Sequence, residues 1–129
     1  TVVEALKSGL FKILAHPAIF MYTYPEFDKV CIEVSKQIIE AAIKYNIALE
    51  INANGIRDCY RKTGHLYEYE FYKYPHLEFW RLVSEYQQKH NLTVIINDDS
   101  HSVDDFNDQF TTEAYKFAEK LNIKVTDII

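Results

Sequence analysis

Short apolar runs alternate along this chain with longer stretches in which apolar residues recur at helical spacing. Leu10 to Ala15 is the first run, bounded by Gly9 and the His16-Pro17 pair, and it reads as a strand ending at a loop. From Pro25 to about Tyr45 the residues Phe27, Val30, Cys31, Val34, Ile38, Ala41, Ala42 and Tyr45 form one helical face, with Glu26 and Asp28 at the end the helix dipole favours. Ile47 to Ile51 is a second strand, closed near Asn52 by Asn52-Ala53-Asn54-Gly55, whose small and polar residues suit a turn with positive φ. Arg57 to Tyr74 mixes charges and aromatics without periodicity and is expected to be a long functional loop.

Pro75 suits the first position of a second helix, on which Leu77, Trp80, Val83 and Gln87 continue a stripe as far as Lys89-His90. Leu92 to Ile96 has the β-branched density of a buried parallel strand and breaks into Asn97-Asp98-Asp99-Ser100-His101. Ser102 with Asp105 resembles a capping box, and Phe106, Phe110, Ala114, Phe117 and Leu121 give a third helix its face. A last strand is expected at Lys124 to Ile128. Alternating strands and helices in this order predict an α/β fold with parallel strands and right-handed crossovers. No internal repeat, low-complexity segment or second domain stands out, so residues 1–129 read as part of a single domain. The segment from Thr1 to Gly9 leads straight into the first strand pattern, and the natural start is expected upstream.

Composition narrows the classes. The chain has 129 residues, 48% of them apolar, enough for one ordinary core. Ten Tyr and eight Phe set it apart from disordered chains, which are poor in aromatics. A net charge of −5 without a Lys/Arg block argues against a nucleic-acid partner, and no apolar run is long enough to span a bilayer. Cys31 and Cys59 lack CxxC spacing and no secretory pattern opens the chain, so free thiols and a cytoplasmic location are expected, with Cys31 in a helix core.

In parallel α/β folds the reactive groups collect where strands end, and His16, Asn52, Asp99 and His101 all follow strand ends. Asp99-x-His101 offers a carboxylate and an imidazole able to serve one or two neighbouring metal ions, and His16 extends that donor set. Each of these residues also has a plainer reading as a helix cap or a solvated loop residue. His65, His76 and His90 read as solvated or capping, and the run from Tyr67 to Tyr74 as packing under a long loop.

The segments Ile13-Leu14-Ala15-His16-Pro17, Leu49-Glu50-Ile51-Asn52-Ala53-Asn54-Gly55-Ile56-Arg57, Tyr74-Pro75 and Asp98-Asp99-Ser100-His101 resemble, in order and spacing, the C-terminal half of PHP-family histidinol-phosphate phosphatases. The resemblance covers nearly the whole chain and implies part of a TIM-like, distorted (βα)7 barrel holding a cluster of two or three divalent ions, Zn, Mn or Fe. It implies hydrolysis of L-histidinol phosphate in histidine biosynthesis, with His16, Asp99 and His101 as metal ligands. Arg57 would face the substrate phosphate and Asn52 would stand beside it. Both have plainer roles as well, Arg57 as a surface residue on a turn and Asn52 as a shaper of that turn.

Two departures from the family pattern matter. No His-x-His pair precedes His16, and Ala18 stands where relatives carry Asp after His-Pro. This chain alone is therefore expected to be nearly inactive. A non-catalytic module that pairs its open sheet edges with another copy or chain is the competing expectation, and a PHP domain attached to a polymerase or nuclease is a third.

Overall fold

A computed structural model describes residues 13–15, 17, 27–64, 76–97 and 109–126. They form an α/β unit with three parallel strands, β1 (Ile13–Leu14), β2 (Ala48–Asn52) and β3 (Val94–Asn97). Four helices accompany them: α1 (Lys29–Lys44), α2 (Ala53–Thr63), α3 (Leu77–Gln87) and α4 (Gln109–Lys120). The sheet runs β1-β2-β3 in chain order, with Leu14 beside Leu49, Leu49 beside Val94 and Asn52 beside Asn97. Strand order therefore never reverses, and all three strands leave toward the same end of the sheet, with the exits of β2 and β3 side by side.

Because side chains alternate along a strand, this register sorts the sheet into two faces. Leu14, Leu49, Ile51, Val94 and Ile96 share one face and enter a core built with Ile38 and Ile39 of α1, Ala53 and Ile56 of α2, Phe79 and Trp80 of α3, and Phe110 and Phe117 of α4. All four helices thus contribute to the core on the same side of the sheet. The other face carries Ile13, Ala48, Glu50, Asn52, Ile95 and Asn97.

Local chemistry explains the helix limits. Asp28 caps α1 by accepting from the Cys31 amide at 3.0 Å, a hydrogen bond that holds its carboxyl below the ordinary carboxylate value. His76 caps α3 through Nδ1, which accepts from the Phe79 amide, and its ring stacks on Phe27 with 5.3 Å between centroids. At the far end of α1, Asn46 adopts φ 53° and the Ile47 amide reaches back to the Ala42 carbonyl; at the far end of α4, Asn122 adopts φ 57° and the Ile123 amide reaches the Ala118 carbonyl. Asn tolerates this left-handed geometry, and the following isoleucine turns into the core.

These helix ends expose a sequence repeat that simple inspection passes over. Lys44-Tyr45-Asn46-Ile47-Ala48-Leu49, Lys89-His90-Asn91-Leu92-Thr93-Val94 and Lys120-Leu121-Asn122-Ile123-Lys124-Val125 follow one pattern. In the sheet Leu49 pairs with Val94, so the repeat coincides with the strand register. The third copy leads to Thr126, whose amide donates to the Val94 carbonyl at 2.7 Å, on the expected last strand's path. Residues 123–126 carry no strand, and 127–129 lie outside the described residues.

Two expectations are corrected. Asn52 to Gly55 is the start of α2 and not a turn with positive φ, since among the described glycines only Gly64 has that conformation. The expected loop from Arg57 accordingly begins as helix, closed by Gly64 at φ 72°, while residues 65–75 lie outside the described residues. Cys31 and Cys59 are buried free thiols. No described helix is long and apolar enough to cross a membrane.

Candidate functional site

The polar groups of the second sheet face gather at the exits of β2 and β3. Glu50, only 4% exposed, lies on the central strand two residues before its end. Its Oε1 accepts from Asn52 Nδ2 and its Oε2 from Asn97 Nδ2, both at 3.0 Å. Asn52 and Asn97 are register partners and the last residues of their strands, so a single carboxylate joins two neighbouring strand exits. Asn97 is exposed, which opens this otherwise buried group to solvent at β3.

Asn52 has a second duty. Its Oδ1 accepts from the Asn54 amide at 2.8 Å, making it the cap of α2, so the strand passes into the helix without an intervening loop. Asn54 in turn accepts from Arg57 Nη1 at 3.0 Å, and the Arg57 guanidinium sits over the Phe110 ring of α4 with its Cζ 5.4 Å from the centroid. Arg57 is 1% exposed, so the reading of it as a surface residue on a turn is wrong. It is a buried cation on a helix, held by an amide and an aromatic face. Glu50, Asn52, Asn54 and Arg57 form one path from the central strand into the α2–α4 interface.

His16, Asp99 and His101 lie outside the described residues. In sequence, His16 stands two residues beyond β1 and Asp99 two residues beyond β3. Among the described residues no group of three or more His, Cys, Asp or Glu side chains is arranged to hold a metal ion. Sequence reasoning singled out Asn52 and Arg57 but missed Glu50 and Asn97. A charged residue inside the apolar run from Ile47 to Ile51 was the available signal.

Away from the strand exits, a surface groove of about 320 Å³ runs between α1 and α3, lined by Lys36, Leu82, Glu85, Tyr86, Lys89 and His90. Across it Tyr86 donates to Glu40 Oε2 at 2.8 Å. Burial first, and the Glu40 carboxylate second, push the Tyr86 phenol up to about 12. His76 and His90, expected to be solvated or capping, serve as the α3 cap and an exposed residue just past its end.

Comparison with protein-family models, with curated proteins and with solved structures finds no match to this chain.

Proposed function

We propose that this chain is the C-terminal portion of a PHP-type (βα)7 barrel and that the protein is a metal-dependent phosphatase of a small phosphate monoester, with L-histidinol phosphate as the expected substrate. The observation that carries this reading is the unreversed β1-β2-β3 order with all four helices feeding the core on one sheet face. A doubly wound sheet reverses its strand order and covers both faces with helices; a barrel wall does neither. Such a wall turns its other face inward and gathers its chemistry where strands end. On this sheet that face carries the buried Glu50 and Asn52, which fits an interior.

His16, Asp99 and His101 would hold the ions. Two imidazoles and a carboxylate, each following a strand of this sheet, are a donor set that suits Zn, Mn or Fe. When bound, divalent ions supply an acidified water and neutralise charge on phosphoryl oxygens. The chain's own contribution is placement. Asn52 fixes the start of α2, and Asn54 holds the buried Arg57 guanidinium near that helix start, from which it would have to turn to meet the phosphate.

Titration calorimetry of the 129-residue chain with Zn or Mn tests the reading. Binding should weaken in each of His16→Ala, Asp99→Ala and His101→Ala, and histidinol phosphate should turn over slowly or not at all, since three ligands underfill a cluster. Metal binding that survives all three substitutions unchanged would overturn it.

One observation favours a second reading, a non-catalytic module that works by pairing with another copy or chain. Among the described residues β1 is an edge strand, and its Ile13 is 45% exposed. Sedimentation at high concentration separates the two readings: a monomer throughout removes the second.

A further inference from the structure

We propose that the groove between α1 and α3 binds a zwitterion with an aromatic side chain, an aromatic α-amino acid or a close analogue. Its floor and its rim differ in chemistry. Leu82 and Tyr86 make the floor, half-buried and packed against the core, and the exposed His90 ring lies 6.0 Å from the Tyr86 ring with 30° between their planes. Such a surface suits an aromatic ring, which gains from apolar burial and from neighbouring rings together. The groove measures about 320 Å³, and a second lobe of about 240 Å³ shares Tyr86 and His90 with it. A cavity of about 150 Å³ already holds benzene, so the larger lobe takes a ring with a short charged chain, at the small end of the roughly 300 to 1,000 Å³ usual for ligand sites.

The rim carries both signs, with Lys36 on the α1 side and Glu85 and Lys89 on the α3 side. Each has an opposite charge four positions along the chain, Lys36 with Glu40 and Glu85 with Lys89, the spacing at which helical ion pairs form. Neither pair closes. Among the described residues Lys36, Glu85 and Lys89 make no ion pair, and Glu40 accepts from Tyr86 at 2.8 Å instead. Two ammoniums and a carboxylate therefore line one groove without neutralising one another. A simple anion there would meet Glu85 and a simple cation would meet Lys36 and Lys89, whereas a molecule with both charges sets each against its opposite. The Tyr86 hydroxyl feels the Glu33 and Glu85 carboxylates as well as Glu40, so the ligand's ammonium belongs near that hydroxyl and its carboxylate toward Lys36 and Lys89.

The test is calorimetric titration of the 129-residue chain, without metal, with three probes that share a phenyl ring. L-Phenylalanine carries both charges, phenethylamine only the ammonium, and 3-phenylpropionate only the carboxylate. Phenylalanine should bind about 10- to 100-fold more tightly than either, the worth of one charge-assisted hydrogen bond. Lys36→Ala should weaken phenylalanine by a similar factor and leave phenethylamine no weaker; Glu85→Ala should weaken phenylalanine and phenethylamine but not 3-phenylpropionate. Both residues are exposed, so thermal melts of the two variants should match the wild type. No saturable binding of phenylalanine overturns the inference, as does a singly charged probe that binds as tightly as phenylalanine, or wild-type affinity for phenylalanine in both variants. Neither the groove nor these probes involve His16, Asp99 or His101, so any of these results leaves the phosphatase reading to its own test.

Discussion

Asn97, at the end of β3, donates its carboxamide to Glu50 Oε2 across the strand pair at 3.0 Å, and Glu50 thereby holds an exit to which it is not adjacent in sequence. The other oxygen takes Asn52, the register partner of Asn97, so the two strand ends share one carboxylate. Low polarity around such a group strengthens each hydrogen bond and raises the cost of losing one.

Asn52 is the most exposed point of failure in that network, because one side chain caps α2 and satisfies Glu50. Asn52→Ala should lower stability by about 2 to 4 kcal/mol, the sum of a lost cap and a buried acceptor left unpaired. Asn52→Ser, which retains a capping oxygen, should recover part of the loss. Urea unfolding measures both; equal stability of the alanine variant and the wild type would contradict the network.

Ser35 offers the opposite case. Its hydroxyl is fully buried in the middle of α1 and has no hydrogen-bond partner among the described residues. Ser35→Ala removes an unsatisfied polar atom and introduces the better helix former, so it should stabilise the protein by about 1 kcal/mol. A shift of the urea midpoint to lower concentration would show that the hydroxyl is bonded after all.

The pattern of apolar residues made α1, α3, α4 and the strands legible, because each presents a broad apolar stripe or a dense β-branched run. It hid α2, whose buried stripe of Ala53, Ile56 and Cys59 is narrow and whose first residues, Asn54 and Gly55, resemble a turn. Asn52 as a cap and Gly64 as a stop were present in the sequence, yet both residue types serve turns equally well. The Glu50–Asn97 link could not be read, since its partners are 47 residues apart in sequence. The Lys-x-Asn repeat that follows three of the helices, twice on the way into a strand, has unequally spaced copies. Of the candidate site, Asn52 and Arg57 were anticipated by position, whereas their connection through Asn54 needed coordinates.

Tyr86 gives stability a dependence on alkaline pH. Burial and the Glu40 carboxylate disfavour its phenolate in the folded state, raising the phenol to about 12, whereas the unfolded chain loses that proton near its ordinary value of about 10. The contribution is therefore complete below about pH 10 and is lost as pH rises toward 12. Tyr86→Phe should remove this part of the decline, and Glu40→Gln should make it smaller, because the folded-state phenol then lies closer to its ordinary value. Unfolding midpoints at pH 8 and pH 11 on the wild type and both variants decide the matter; parallel behaviour of wild type and Tyr86→Phe would refute it.

Gln87 links the start of β3 to the segment that follows α4. Its Nε2 donates to the Leu92 carbonyl at 3.0 Å and the Lys124 carbonyl at 2.8 Å, while its Oε1 accepts from the Lys124 amide at 2.7 Å. One side chain thus ties the stretch before β3 to the stretch after α4. The Thr126 amide, bonded to Val94, extends the connection by one step. Gln87→Leu should cost about 1 kcal/mol, a modest figure because water reaches these groups. Gln87→Glu should cost at least as much, since it turns an oxygen toward two carbonyls. The sharper readout is hydrogen exchange at Thr126: if Gln87 aligns residues 123–126 along β3 as the next strand of a barrel wall, that amide should exchange faster in both variants. Unchanged protection would mean that the Val94 contact stands without the glutamine and that α3 does not direct the sheet's continuation.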